Sequence, residues 1–194
     1  MKLKQLDHKL TCLLHEQSGK KPWLDKLAIF AARDLPFVFV LFPIVVIIFS
    51  GLAFDGIAMM FFGVSLFLWL LTQVLAYGLQ FLFSRKRPFQ SEHLHPIYQA
   101  RIPSPSFPSG HATMVSFILS LVGYMLFTGV TGPGWIFYSM LVMGVMILVA
   151  RVYGGLHYVS DIVAGLIFGS GMFFLLWNMF MLLITWLTIM HNQL

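Results

Sequence analysis

The chain has 194 residues, of which 59% are hydrophobic and 10% are charged, with a formal net charge of +5. Its mean hydropathy of +0.86 lies far outside the soluble range, so the composition excludes an ordinary water-soluble domain and indicates a membrane protein. A single cysteine, Cys12, excludes an intramolecular disulfide framework and a cysteine metal cluster. A nucleic-acid partner is not expected.

The amino-terminal segment is basic, since residues 1–34 hold seven of the twelve lysine and arginine residues. No cleavable signal peptide is expected there, because the first 20 residues are polar and mixed in charge. An amphipathic helix on the membrane surface and a solvated leader that orients insertion both explain the segment. The helical interpretation comes from apolar residues at near-helical spacing, namely Leu24, Leu27, Ala28, Phe30 and Ala31.

Five apolar runs follow, and each is long enough to cross a bilayer as a helix, which takes about 20 residues. The runs cover residues 35–54, 56–83, 111–130, 135–154 and 159–189. The sequence therefore predicts an all-α, polytopic membrane helix bundle with about five transmembrane helices and an amino-terminal amphipathic helix. We expect two parts, a basic interfacial segment over 1–34 and a transmembrane domain over 35–194.

One long polar stretch, residues 84–110, interrupts the spans, and a connection of that length is uncommon in a compact chain unless it has a function. Beyond it, charge almost disappears. Residues 102–194 contain two formal charges, Arg151 and Asp161. Because ionisable groups at membrane depth are costly, we interpret these two as part of a functional site.

Polar clusters stand at the ends of the predicted helices. Short links join the last three spans, so the helix ends near residues 84, 111, 155 and 159 lie on one face of the membrane. The clusters are therefore expected to converge. They are Arg87-Pro88, Pro108-Ser109-Gly110-His111, Arg151, and His157 with Asp161.

His157 and Asp161 are four residues apart, which places them on one face of the helix that opens the fifth span. A carboxylate that accepts the proton of one ring nitrogen fixes the tautomer and leaves the other nitrogen nucleophilic. This spacing predicts that His157 can attack phosphorus.

The remaining polar residues suit the binding of a phosphoryl group, whose negative charge must be neutralised during transfer. Arg87 and Arg151 carry forked donors that match phosphate geometry. Ser109 and Gly110 precede a helix, where backbone amides and a hydroxyl form an anion nest. His111 begins that helix and is placed to protonate the leaving oxygen as a general acid.

In chain order these clusters resemble the three-part signature of the type 2 phosphatidic acid phosphatase family, over residues 80–161. The resemblance implies that His157 forms a phosphohistidine and that Asp161 orients it. It also implies that His111 is the general acid, and that the phosphate is held by Arg87, Ser109, Gly110 and Arg151.

The sequence departs from that signature at two positions: Gln80 stands where the family usually has a lysine, and Ala150 where it usually has a serine. Arg85 or Lys86 could supply the missing cation. Alternatively, the two could anchor the chain to lipid headgroups.

A substrate whose tail stays in the bilayer fits a membrane-embedded site, so the expected partners are the lipid bilayer and a lipid phosphate or diphosphate. Resemblance to the small bacterial members favours undecaprenyl diphosphate, which would be hydrolysed to the monophosphate. Phosphatidylglycerophosphate, phosphatidic acid and lipid A phosphates stay open as substrates. A lipid-phosphate binding or transport protein and a vanadate-dependent oxidase are the alternatives from other classes.

No cofactor and no metal are expected. His93 and His95 alternate in the long loop as metal ligands do, but only Glu92 stands near to complete such a site. We therefore predict hydrolysis without a metal ion.

Two arguments about membrane orientation disagree. Counting spans places the amino terminus and the site on one face together with all twelve basic residues, and the positive-inside rule would make that face cytoplasmic. The resemblance implies the outer face of a bacterial-type inner membrane, where the small carrier phosphatases act. Five of the twelve basic residues belong to the site or its loop, so they count less as signals of membrane orientation. We therefore expect the site of this multi-pass protein to be extracytoplasmic.

Overall fold

The computed structural model of the chain describes residues 2–49, 56–91, 94–98, 104–128 and 134–192. The regular structure within these ranges is helical. In chain order the helices are α1 (Lys2–His15), α2 (Pro22–Arg33), α3 (Leu35–Phe49), α4 (Gly56–Phe83), α5 (Pro88–Ser91), α6 (Gly110–Phe127), α7 (Trp135–Tyr153) and α8 (Val159–His191).

Four helices, α4, α6, α7 and α8, are long and apolar enough to cross a membrane, counting only the described part of the chain. Helices α2 and α3 together would make a fifth span, bent by 53° at the break between them. The predicted all-α membrane bundle of about five spans is therefore confirmed.

The first predicted span, 35–54, differs from the observed helices. Helix α3 has 15 residues, and the bent pair places α2 in the same candidate span. Pro36 explains the break, because it has no N–H to bond the Ala32 carbonyl and its ring would clash with that carbonyl if α2 continued. Residues 50–55 lie outside the described ranges.

The amino-terminal segment is helical and packs on the bundle. In α2 the small side chains of Ala28, Ala31 and Ala32 are buried in the core that α7 helps to form. The larger Leu27 and Phe30 of the same helix are 41% and 44% exposed. Helix α1 contacts both α7 and α8, so it lies near the connection between them.

Helix α6 is the centre of the bundle, with α4, α7 and α8 packed around it. One apolar cluster joins α6 to α3 and α7, and includes Phe39, Val115 and Ile147. Another, on its opposite side, contains Phe117 and Phe173, whose rings meet edge to face at 5.5 Å. This packing fixes the beginning of α6, which carries His111.

Close approach of α6 and α8 depends on glycine in α8. A Cβ atom at Gly165 would come within 2.6 Å of the Ser109 carbonyl oxygen and 2.7 Å of the Ala112 Cβ. These distances are too short for real contacts, so only glycine allows this spacing. The small residue at position 165 therefore brings the two helix starts together.

Replacing Gly165 with alanine is expected to separate α6 from α8 and to destabilise the protein by about 1–3 kcal/mol, as overpacking of a core does. The measurement is the melting temperature of the purified protein in detergent. Gly171→Ala is the matched control, because a Cβ at Gly171 in the same helix meets no atom within 4 Å. Equal melting temperatures for the two variants would contradict the packing argument.

Candidate active site

The connection between α7 and α8 carries His157. It begins with a Schellman motif, in which Gly155 has the positive φ of +70° that glycine adopts without strain. The amide of Leu156 donates to the Arg151 carbonyl at 3.0 Å, and that of Gly155 donates to the Val152 carbonyl at 2.9 Å. This motif ends α7 sharply and puts His157 immediately before α8.

The His157 ring is 3% exposed, and its tautomer follows from its hydrogen bond. Nδ1 lies 2.9 Å from the backbone carbonyl oxygen of Ser106. Because a carbonyl oxygen can only accept, Nδ1 carries the proton, and Nε2 of the neutral ring keeps its lone pair. The nearest carboxylate oxygen of Asp161 is 3.7 Å from Nδ1, beyond hydrogen-bond distance. The direct bond expected from the i, i+4 spacing is thus made by Ser106, with Asp161 behind it.

Asp161 is 0% exposed, and its carboxylate is fully engaged with donors. Its Oδ2 accepts from the Ser106 hydroxyl and, at 2.8 Å, from the Tyr158 amide at the start of α8. Its Oδ1 accepts from Nη1 of Arg85 at 2.7 Å. These bonds compensate the burial of the charge, which would otherwise be strongly unfavourable.

His111 and Arg151 meet in the structure. The guanidinium Nη2 of Arg151 is hydrogen-bonded to Nε2 of His111, and its Nη1 donates to the Tyr98 hydroxyl at 2.7 Å. A guanidinium only donates, so Nε2 of His111 is the acceptor. The first residues of α6 and the last turn of α7 are thereby joined.

Arg87 is 6% exposed and is held by the end of the long loop. Its Nε donates to the Ser104 carbonyl at 2.9 Å, and its Nη2 donates to the Ser104 hydroxyl at 3.0 Å. Two of its five N–H groups therefore fix the guanidinium in place.

The start of α6 has the features of an anion-binding helix end. Ser109 is the N-cap residue, and its hydroxyl oxygen accepts from the Ala112 amide at 3.4 Å. Gly110 and His111 supply the first two amides of the helix, which have no intrahelical acceptor. The Ser109 amide donates to the Asp161 carbonyl at 3.1 Å, so this helix end is tied to the beginning of α8.

The environment of His157 keeps its ring neutral. Burial lowers the pKa of His157 below the ordinary histidine value, and the positive charges of Arg87 and Arg151 lower it further, whereas Asp161 opposes them. A depressed pKa means that Nε2 stays unprotonated, and so nucleophilic, to lower pH than in a free histidine.

The structure brings the predicted residues to one end of the bundle, but it also adds partners that the sequence did not indicate. Ser104, Ser106 and Tyr98 each bond a predicted site residue. Ser106 bonds His157 through its backbone carbonyl, and Ser104 bonds Arg87 through both its carbonyl and its hydroxyl. A motif of side-chain types does not predict bonds to backbone carbonyls. Gln80 donates to the Pro108 carbonyl at 2.9 Å and so holds the loop before Ser109.

The two interpretations of Arg85 stay predictions, and the structure pairs this residue with acidic side chains. Its guanidinium bonds two carboxylates, those of Asp161 and Asp7, and lies 4.0 Å over the Tyr158 ring. Lys86 is exposed. In the loop, His93 and Glu92 lie outside the described residues, and His95 is exposed.

Sequence comparison gives one family and two named relatives. The model described as "PAP2 superfamily" matches residues 58–184. An "Undecaprenyl-diphosphatase" of Sulfolobus acidocaldarius is 33% identical over 99 residues, which are 50% of this chain and 44% of that protein. The "Putative undecaprenyl-diphosphatase YbjG" of Escherichia coli K12 is 29% identical over 172 residues, 86% of this chain and 79% of that protein. The chain thus matches less than half the length of the first relative.

Two solved structures share the fold. A transmembrane PAP2 type phosphatidylglycerolphosphate phosphatase from Bacillus subtilis has a TM-score of 0.66 and 22% identity, covering 91% of this chain and 85% of its own. Aquifex aeolicus LpxE also gives 0.66 and 22%, covering 88% of this chain and 93% of its own.

The ring of His157 is expected to titrate below its ordinary pKa of about 6.5. Arg87→Gln is expected to raise the midpoint, because it removes a positive charge that disfavours the protonated ring. NMR of ring-labelled histidine measures the titration midpoint of His157 in the parent protein and in Arg87→Gln, and the His157→Gln variant assigns the signal. Arg33→Gln, which removes an exposed arginine paired with Asp34, is the control and should leave the midpoint unchanged. A midpoint above 6.5 in the parent protein would contradict this account of the site.

Proposed function

Because this chain belongs to the PAP2 superfamily, we propose that it is a membrane phosphatase that hydrolyses a lipid phosphate or diphosphate through a phosphohistidine at His157. The observation that carries the proposal is the hydrogen bond from Nδ1 of His157 to the Ser106 carbonyl, since it leaves Nε2 as the nucleophilic nitrogen. No step of the proposed mechanism requires a metal ion.

In the first step, the lone pair of His157 Nε2 attacks phosphorus, and the bond from phosphorus to the leaving oxygen breaks. His111 gives a proton to that oxygen. In the second step, water attacks the phosphohistidine while His111 takes a proton from it, so that inorganic phosphate leaves and both histidines return to their starting forms. From a lipid diphosphate, the first product is the lipid monophosphate.

Charge developing on the phosphoryl oxygens is stabilised by Arg87, Arg151 and the α6 helix end at Ser109 and Gly110. The Arg151 guanidinium, which donates to His111 in the structure, finds a stronger acceptor in a phosphate anion. Its move to the anion would free the lone pair of His111 Nε2 to take up a proton from solvent water, and this is the proton that the first step delivers to the leaving oxygen.

Undecaprenyl diphosphate is the substrate we favour. One relative is named "Undecaprenyl-diphosphatase", and the one named "Putative undecaprenyl-diphosphatase YbjG" aligns over 86% of this chain. Phosphatidylglycerophosphate, the lipid named for one of the fold neighbours, is a competing substrate. Phosphatidic acid and lipid A phosphates are the other competing substrates, since the sequence alone leaves them open.

Phosphate release by the purified protein in detergent with EDTA tests the reaction. We expect the highest kcat/KM for undecaprenyl diphosphate among these lipids, and inhibition by orthovanadate. His157→Ala is expected to lower kcat by at least about 1,000-fold, because it removes the nucleophile. His191→Ala, at the far end of α8, is the matched control and should retain the parent kcat. Full activity in His157→Ala, or release that EDTA abolishes and a metal ion restores, would refute the mechanism.

We further propose that the site faces the extracytoplasmic side of a bacterial-type inner membrane. The basic residues Arg85, Arg87 and Arg151 are engaged with partners in the site, so they count little as free interfacial charges in the positive-inside rule. Helix α1 contacts the α7–α8 connection, so its basic residues lie on the same face as the site, and the positive-inside rule applied to them alone would favour the cytoplasmic face.

Cysteine labelling of intact cells tests the orientation. In a Cys12→Ser background, a membrane-impermeant maleimide is expected to label Ser91→Cys, which stands beside the site. Asn192→Cys, past the end of α8, is the opposite-face control and should react only after the membrane is permeabilised. The reverse pattern would place the site on the cytoplasmic face.

A further inference from the structure

Helix α1 fastens both ends of the connection that carries His157. The His15 Nδ1 donates to the Tyr153 carbonyl, at the end of α7, at 2.8 Å. The Val159 amide, at the beginning of α8, donates to the Thr11 hydroxyl at 3.3 Å. Terminal groups of this kind have no partner within their own helices. Side chains of α1 therefore cap two other helices, although α1 lies outside the residues that the family model matches.

Asp7 makes the strongest of these contacts. Its Oδ1 accepts from the Ser160 amide at 2.8 Å, and its Oδ2 accepts from the Ser160 hydroxyl at 2.6 Å. Oδ2 also accepts from Nη2 of Arg85 at 2.8 Å, while Nη1 of the same guanidinium donates to Asp161 at 2.7 Å. Asp7 and Asp161 thus hold opposite edges of a single guanidinium.

This arrangement has an electrostatic consequence for His157. Were Arg85 paired with Asp161 alone, its full charge would neutralise the carboxylate that lies 3.7 Å from the His157 ring. By sharing Arg85, Asp7 leaves more of the negative charge of Asp161 to act on the ring. A ring that becomes cationic when Nε2 bonds to phosphorus gains from that charge.

The second consequence is geometric. The Arg85 side chain is 29% exposed, whereas Asp161 is 0% exposed. A partly exposed arginine held only at its inner edge could rotate away, and Asp7 prevents this by holding the outer edge. Although burial alone would raise the pKa of Asp7, hydrogen bonds from Ser160 and Arg85 lower it below its ordinary value, so the carboxylate is ionised at neutral pH.

We propose that Asp7 is a positioning residue of the active site, acting on Asp161 through Arg85, so that the amino-terminal helix takes part in setting the rate of phosphoryl transfer. This inference rests on the proposed function, because it assigns Asp7 to the same reaction. Asp7 touches neither substrate nor reacting atoms in this scheme.

Asp7→Asn, which keeps the shape of the side chain and removes its charge, is the principal test. For the best substrate of the lipid panel, we expect kcat to fall about tenfold while KM changes less than about twofold, because the phosphate ligands stay in place. Asp7→Glu restores the charge on a longer side chain and is expected to give a kcat between those of Asp7→Asn and the parent protein.

A double-mutant cycle tests the route through Arg85. In an Arg85→Gln background, Asp7→Asn is expected to lower kcat by less than about twofold, because the partner through which it acts is gone. The matched control is Asp25→Asn. Its carboxylate also belongs to the amino-terminal segment, but it binds Gly19 and Tyr153 instead of Arg85, so kcat should stay within about twofold of the parent value.

Orthovanadate binding, measured by calorimetry without turnover, separates failure of this inference from failure of the proposed function. We expect Asp7→Asn to weaken vanadate binding in proportion to its loss of kcat.

Parent-like kcat and vanadate affinity in Asp7→Asn would overturn the inference and leave the phosphatase intact. Equal losses in Asp7→Asn and Asp25→Asn would also overturn it, since they would indicate general loosening of the segment. If Asp7→Asn does not purify as a folded protein, Asp7→Glu and Asp25→Asn decide the question. A parent-like kcat in Asp7→Glu, together with a fall of about tenfold in the kcat of Asp25→Asn, would then overturn the inference.

Parent protein that neither binds vanadate nor releases phosphate from any lipid of the panel would instead refute the proposed function, and the role of Asp7 with it.

Discussion

A buried carboxylate organises this end of the bundle. Asp161 is 0% exposed in a chain with few charges, and an unpaired anion there would cost several kcal/mol. Its donors come from three separate places: the Arg85 side chain after α4, the Ser106 hydroxyl in the loop before α6, and the Tyr158 amide at the start of α8. Satisfying one charge therefore draws three segments together. Ser106 then uses its carbonyl oxygen to orient His157, so the need to pair Asp161 also sets the tautomer of the proposed nucleophile.

Helix packing supplies the other half of the geometry. The glycine at position 165 lets α6 approach α8 so closely that the Ser109 amide reaches the Asp161 carbonyl at 3.1 Å. This contact places the beginning of α6, with its anion-binding amides and His111, beside the beginning of α8. The Schellman motif at Gly155 ends α7 at the same level, which brings Arg151 to His111.

What the sequence predicted well rests on local or compositional signals. Long apolar runs locate the membrane helices, and the positions of the few charged residues locate the polar end of the bundle. Both signals follow from the cost of burying polar groups in lipid. The rest depends on contacts between distant residues. No spacing rule joins Asp7 to Arg85, which lie 78 positions apart, or selects the Ser106 carbonyl as the partner of His157. The break at Pro36 could have been predicted from the sequence, because proline cannot donate the backbone hydrogen bond that would continue α2.

The glutamine at position 80 illustrates how charge balance shapes such a site. Arg85, Arg87 and Arg151 carry three positive charges, and Asp7 and Asp161 carry two negative charges, so these side chains leave one net positive charge. Gln80 is 5% exposed, and a lysine there would add a second unbalanced cation to a region with little water. The amide instead donates a neutral hydrogen bond to the Pro108 carbonyl and holds the loop that leads into the anion-binding helix end. Position 80 thereby contributes order to the loop without charge, and in the proposed reaction attraction of the phosphate would fall chiefly to Arg87 and Arg151.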